Sequence, residues 1–229
     1  MNADLGARLT EIDARIADAA RSAGRDVASI SRIVVTKFHP PELVKELYDL
    51  DVRDVGENRQ QELSEKSSAL AHLSGLRWHF VGQAQTNKAR AIRSAATVMH
   101  SLDRMKLANA LDSAAEPDSL PLDVLLQVNL TSDTGRGGVA PENLLALAEH
   151  AAAKVSLRVR GVMAVAPLEE QPARAFERLR GYADIVRSVV PDAEWISAGM
   201  SADFADAIAM GATHLRIGSA ITGLRPQHG

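Results

Sequence analysis

A single closed (β/α)8 barrel, a TIM barrel with an extra N-terminal helix, is the α/β fold predicted for this chain of 229 residues. Three observations predict it. Eight short β-rich runs alternate with helical patterns, which implies parallel pairing, because parallel strands need long crossover connections. Their even spacing fills a length near the ~250 residues typical of that barrel. The competing fold, an open doubly wound sheet, usually has a glycine-rich turn after its first strand. Here that strand runs into "FHPPELV", which has no glycine.

The extra helix is expected at residues 3–23, where Leu5, Leu9, Ile12, Ile16 and Ala19 recur at helical spacing and Gly24 is a stop. "RIVVTK" is the first strand. Pro41 then suits the first turn of a helix whose Leu43, Val44, Leu47 and Leu50 share one face. The remaining strand candidates are "VRDVGE", "RWHFVG", "ATVMHSLD", "LDVLLQVNL", "LRVRGVMAV", "EWISAG" and "THLRIGS". Asn58, Thr86, Asp103 and Ser201 are the expected helix caps between them, with Pro141 as a second first-turn proline. Only 10 residues follow Ser219, too few for a full last helix, and the N-terminal helix is expected to cover that gap. No linker, repeat or shift of composition divides the chain, so residues 1–229 are read as one domain.

Composition narrows the function. At 46% hydrophobic residues the chain can fill a sizeable core. A net charge of -3 and 3% aromatics argue against a basic nucleic-acid surface or a base-stacking platform. The absence of cysteine excludes disulfides, thiol catalysis and thiolate metal sites. No run approaches the ~20 apolar residues of a membrane span. Asp4, Arg8, Glu11, Asp13 and Arg15 leave no apolar signal core at the N-terminus, so a cytoplasmic protein is expected. The seven histidines show no metal-ligand spacing, and no metal is expected. His79, between Trp78 and Phe80, is read as a core histidine that could point inward.

Such barrels carry their sites at the C-terminal ends of the strands, with phosphate often held after strands seven and eight. Those loops read "SAGMSADFADAIAMG" and "RIGSAITG", bringing Gly199 with Ser201 and Gly218 with Ser219 to that rim. A helix expected at 203–210 would offer free amides to an anion, although Asp203 in its first turn would repel one unless it turned away. In the last strand, Leu215 and Ile217 suit the helix-facing side, which points Arg216 inward. Ring closure then sets Arg216 beside the first strand, where Ile33, Val35 and Lys37 share a face. Lys37 is either a solvated strand end or an amine that does chemistry. A cation beside it would favour the neutral, nucleophilic form.

"VVTKFHP", "DVGENRQQE", "RWHFVGQAQTNKAR", "HSLDR", "QVNLTSDTGRGGV", "RGVMAVAP" and "SAGMSADFADAIAMGATHLRIGSAITG" together resemble the pyridoxal phosphate homeostasis protein family (YggS/PROSC). The resemblance implies a barrel of the alanine-racemase N-terminal type that binds pyridoxal 5'-phosphate (PLP). By position, it implies that Lys37 forms the Schiff base with PLP and that Arg216 faces the pyridine nitrogen. It further implies that Ser201 and Ser219, with the amides of Met200 and Gly218, hold the phosphate, that Asn58 lines the site, and that Met200 packs near it. Three positions depart from the family pattern: Ala84, Arg136 and Thr222. None is expected to touch the cofactor.

The leading functional expectation is a PLP carrier or buffer in vitamin B6 and amino-acid homeostasis, without robust catalysis. Candidate recipients of the cofactor are PLP-dependent apo-enzymes, and a monomer is expected. The alternative is a PLP-dependent amino-acid racemase. Two-base racemization needs a second proton carrier, which in alanine racemases is a tyrosine from another domain. This chain has only Tyr48 and Tyr182, both in helical patterns. A Schiff-base aldolase acting on a sugar phosphate is a third reading and predicts a colourless protein. "TSDTGRGGV" is a polar loop on the same rim, read as a lid.

Overall fold

The computed structural model describes residues 3–133 and 135–223. Helix α1 (Ala3–Ser22) buries Leu5, Leu9, Ile12 and Ile16, the stripe that its periodicity predicted. It stops at Gly24, whose φ of 65° lies in the left-handed region that glycine enters most readily.

Eight parallel strands follow. β1 (Ser31–Val35), β2 (Asp54–Glu57), β3 (Arg77–Phe80) and β4 (Val98–Leu102) form one half of the ring. β5 (Leu122–Gln127), β6 (Leu157–Met163), β7 (Trp195–Ser197) and β8 (His214–Ile217) form the other. The strand order is sequential and the barrel is closed. Closure pairs β8 with β1 in parallel, setting Ile33 against Arg216 and Val34 against Ile217.

Between the strands run α2 (Pro41–Asp49), α3 (Gln60–Ala69), α4 (Ala89–Ala95), α5 (Met105–Ser113), α6 (Leu144–Ala152), α7 (Pro172–Val189) and α8 (Phe204–Ala209). Among the described residues, a single-turn α9 (Ser219–Thr222) follows β8. As expected, α1 fills the remaining sector. It packs against α8 and α9, and Arg8 Nε donates to the Ile221 carbonyl at 2.6 Å.

Strand residues alternate faces, and the two faces differ. Val34, Val55, Phe80, Met99, Val124, Val162, Leu215 and Ile217 join helix residues such as Leu47, Ile92, Leu111 and Phe176 in one continuous apolar cluster. Burial of each such side chain contributes roughly 1.5–3 kcal/mol. A separate, small apolar group, Val98, Leu125 and Met163 with Trp195 against it, lies on the interior side. His79, His100, Ser197, His214 and Arg216 are buried polar residues on these same strands.

The expected caps are corrected. Helices begin at Gln60, Met105 and Phe204, two or three residues beyond Asn58, Asp103 and Ser201, and none of the three has a side-chain cap hydrogen bond. Thr86 opens a 3₁₀ turn (Thr86–Lys88) that leads into α4. The side chains that were expected to cap are used elsewhere: Asp103 pairs with Arg104, and Thr86 Oγ1 accepts from Arg104 at 3.0 Å. The polar loop after β5 is stapled at its base, where Asn129 N donates to Val139 O at 2.9 Å and Val139 N to Gln127 O at 2.7 Å. Among the described residues no helix is long and apolar enough to cross a membrane.

Candidate functional site

Lys37 stands two residues past the end of β1, exposed at the C-terminal rim. The residue after it carries backbone strain. Phe38 has φ 67°, left-handed backbone that costs a non-glycine residue on the order of 1 kcal/mol or more. Its neighbours hold it there. The Phe38 N–H donates to Glu62 Oε2 at 2.7 Å, and the Arg59 guanidinium lies 4.8 Å from the Phe38 ring centre.

Beneath this turn sits a buried ionic cluster. Lys66 Nζ donates to Glu57 Oε1 at 2.7 Å, to the Thr36 carbonyl at 2.9 Å and to Glu62 Oε2 at 3.4 Å. The Thr36 hydroxyl also donates to Glu57 Oε1, at 2.6 Å. Burial pushes the Glu57 carboxyl above its ordinary range, and Lys66 and Thr36 only partly offset this. Glu57 Oε2 is buried without a partner. The cluster therefore fixes the backbone carbonyl next to Lys37 through side chains from β2 and α3. Sequence reasoning missed it, although "DVGENRQQE" contains both acids.

Arg216 comes from β8 and points into the barrel. Its Nη1 donates to Ser197 Oγ at 2.7 Å and its Nη2 to the Ala164 carbonyl at 2.9 Å. Burial brings the guanidinium down to about 10, with Asp203 acting in the opposite direction. Ser197 Oγ also lies 2.8 Å from His100 Nδ1. Because β4 and β7 are not neighbours in the ring, that contact crosses the barrel interior. His79 is fully partnered there, between His100 and Asp54.

The turns after β7 and β8 close the rim. Gly199 has φ 88°, and a Cβ there would lie 2.7 Å from Ala207 Cβ and 2.9 Å from Phe204 Cα, so only glycine fits. Its carbonyl accepts the Arg216 N–H at 3.0 Å, tying one turn to the neighbouring strand. Asp203 precedes α8, and its Oδ1 accepts from the Met200 N–H at 2.6 Å. That amide, expected to serve an anion, is thus already satisfied by a carboxylate. After Gly218, the first amides of α9 have no partner within their helix.

A cavity of about 510 Å³ joins these parts. Lys37, Asn58, Met200, Ser201, Arg216, Gly218 and Ser219 all line it. So do Phe38, His39 and Thr222, which sequence reasoning had not placed there. For Thr222 this is a correction, since a departure expected to lie clear of the site forms part of its wall. Burial and then Lys66 hold the His39 imidazole below its ordinary value, against Glu62. The cavity offers a primary amine, a buried guanidinium, hydroxyls and turn amides, and an apolar wall from Val35, Val81 and Val165. That donor set suits an anion that carries an electrophilic carbonyl.

A family model described as "Alanine racemase, N-terminal domain" matches residues 11–226. The pyridoxal phosphate homeostasis protein of Pseudomonas aeruginosa is 40% identical over 220 residues, covering 95% of this chain and 94% of its own length. This chain belongs to the pyridoxal phosphate homeostasis protein family. Its Aquifex aeolicus relative of the same name is 37% identical over 222 residues, covering 95% of this chain and 97% of its own. Among solved structures, PipY of Synechococcus elongatus, described with PLP bound, matches this family member with a TM-score of 0.83 and 32% identity. The match covers 96% of this chain and all of PipY. Alanine racemase of Corynebacterium glutamicum shares the fold alone, with a TM-score of 0.68 and 15% identity. That likeness covers 95% of this chain and 61% of the racemase. The barrel is thus of the alanine-racemase N-terminal type.

Proposed function

We propose that this chain binds PLP in the cavity at the C-terminal rim, with Lys37 as its covalent attachment point, and serves as a carrier or buffer in vitamin B6 homeostasis. The observation that carries this reading is the meeting of Lys37 and Arg216, from the first and last strands, in one cavity edged by two glycine-bearing turns. The naming of relatives at up to 40% identity and the PLP-bound PipY structure support it.

When bound, PLP supplies an aldehyde that condenses with a primary amine and a ring that can take up electrons. Arg216 would face the ring nitrogen. Arginine stays protonated, so there it would donate to that nitrogen and leave it without a proton of its own. A ring in that state stabilises a carbanion poorly, which suits holding more than turnover. Ser201, Ser219 and the turn at Gly218 would hold the phosphate, Asn58 and Met200 would flank the site, and the Phe38 turn would fix the direction of Lys37.

The racemase reading needs a second proton carrier at the cofactor. Neither tyrosine lines the cavity: Tyr48 donates to the Ser74 carbonyl at 2.9 Å, and Tyr182 packs against the helix-side core. The proposal therefore includes no robust catalysis. It also places the protein in the cytoplasm as a monomer, a single domain over residues 1–229, handing PLP to apo-enzymes.

Borohydride reduction of the purified, PLP-loaded protein should fix a pyridoxyl-phosphate mass on the peptide that contains Lys37. Lys37→Ala should abolish both that mass and the visible absorption band. Label retained in the variant at comparable yield would refute the attachment point. Incubation with L-alanine should yield no D-isomer at enzyme-like rates, and turnover would favour the racemase.

A further inference from the structure

The barrel interior contains a hydrogen-bonded chain that the cofactor reading does not itself require. From the pocket downward, Arg216 Nη1 donates to Ser197 Oγ at 2.7 Å, and Ser197 Oγ lies 2.8 Å from His100 Nδ1. His100 Nε2 lies 2.9 Å from His79 Nδ1, and His79 Nε2 lies 2.8 Å from Asp54 Oδ1. Arg77 donates to Asp54 Oδ2 at 2.6 Å from the opposite rim of the barrel, where its side chain is half exposed. Residues of five strands therefore connect the cavity to the far face of the molecule.

The direction of each link follows from chemistry. Burial pushes the Asp54 carboxyl up, but His79 and Arg77 outweigh it, and the group lies below its ordinary range as a carboxylate. A carboxylate only accepts, so His79 Nε2 must donate to it. Burial holds both His79 and His100 below their ordinary values, as neutral rings. A neutral ring that donates at Nε2 accepts at Nδ1. His100 Nε2 therefore donates to His79 Nδ1, and the Ser197 hydroxyl donates to His100 Nδ1. Ser197 keeps its lone pairs for Arg216. Every donor points the same way, from the guanidinium to the carboxylate. Among the described residues no carboxylate hydrogen-bonds Arg216 directly, so this chain is its connection to one.

We propose that Ser197, His100, His79 and Asp54 form a one-way hydrogen-bond relay that carries the influence of the Asp54 charge to Arg216, making them positioning residues for the cofactor's ring nitrogen. Its ligand part rests on the PLP reading above, whereas the relay itself does not. Aligned hydrogen bonds polarise one another in a low-dielectric interior, so a carboxylate at one end strengthens the acceptor at the other. The groups around the relay are Arg77 on β3, Asp123 on β5, Arg160 on β6 and His214 on β8. They bear on its electrostatics without interrupting its links.

The test begins with cofactor-free, 15N-labelled wild-type protein. The imidazole nitrogens of His79 and His100 should give the pattern of a bare Nδ1 and a protonated Nε2 at pH 8. A protonated Nδ1 on either ring overturns the proposal, and this measurement needs no variant to fold. Asp54→Asn keeps an acceptor oxygen for His79 and removes the charge. It should shift the His100 and Arg216 side-chain resonances, and unshifted resonances overturn the proposal. In a Ser197→Ala background, which cuts the path, Asp54→Asn should no longer move Arg216; an equal shift there would mean a bare through-space field and overturns the relay. With PLP loaded, Ser197→Ala should displace the visible absorption maximum and Ser197→Thr should restore it. An unmoved maximum in the alanine variant overturns the positioning role. Were wild-type protein to take up no PLP at all, the cofactor reading would fall while the imidazole pattern still decided the relay.

Discussion

The same eight strands present two unlike faces. Toward the helices they show Val, Leu, Ile and Phe in one continuous cluster; toward the barrel axis they show histidines, a serine, an aspartate and an arginine beside a small apolar group. The first face is non-directional: burial of area stabilises it, and many apolar side chains of similar size would serve. The second is directional, since each polar atom there is tolerable only if its partner stands at hydrogen-bond distance. The helix-side face therefore supplies stability, and the interior supplies placement at the cavity.

Three experiments break or sharpen that contrast. Phe176 lies almost fully buried in the helix-side cluster, and Phe176→Ala should lower unfolding free energy by about 4 kcal/mol in a urea titration. The cavity residues should be unaffected, and a loss below about 1 kcal/mol would mean that this face is not what holds the fold. Next in size is the ionic cluster under Lys37. Lys66→Met leaves the buried Glu57 carboxyl without its cation, with the Thr36 hydroxyl as its remaining donor, and should remove about 3 kcal/mol. Adding Glu57→Leu should recover most of that loss; failure to recover would assign the stability to the ion pair itself.

The smallest effect is pH-dependent. Burial lowers the His214 imidazole to about 3. The unfolded chain takes up this proton near pH 6.5, whereas the folded chain does not until far lower, so across that interval the unfolded state binds more protons. The native state consequently has its full stability above about pH 6.5 and loses it as the pH falls, by up to about 1.4 kcal/mol per unit for each such ring. Glu57, raised by burial, acts in the opposite direction over part of this range. The informative quantity is thus the difference between wild type and His214→Gln, which should show the shallower slope between about pH 6 and 4. Equal slopes would mean that His214 is protonated in the folded protein.

The elements were legible because each rests on local periodicity. Leu215 and Ile217 fall on the helix side with Arg216 between them, as strand alternation requires. Caps were read less well. Asp103 has the right residue type, but its carboxylate meets Arg104 instead of a helix amide, and Asp203, expected inside the first turn of its helix, precedes that helix and takes Met200 N. A residue's capability is local, whereas its choice among partners depends on which one arrives. The histidines teach the same lesson more strongly. His79 and His100 stand 21 residues apart, and Ser197 lies 97 beyond His100, so no spacing rule could join them.

By itself, the order of residues determined the alternation of strands and helices, the face each strand turns to its helices, the ends of the chain that must meet, and the family. Those properties depend on repeats of two and 3.6 residues and on motifs of contiguous sequence. Tertiary packing alone decided that Arg216 hydrogen-bonds a serine of β7, that His100 meets the same serine across the barrel, and that Thr222 enters the cavity wall. Each is a directional contact between segments distant in the chain, and its geometry exists only after the barrel has closed.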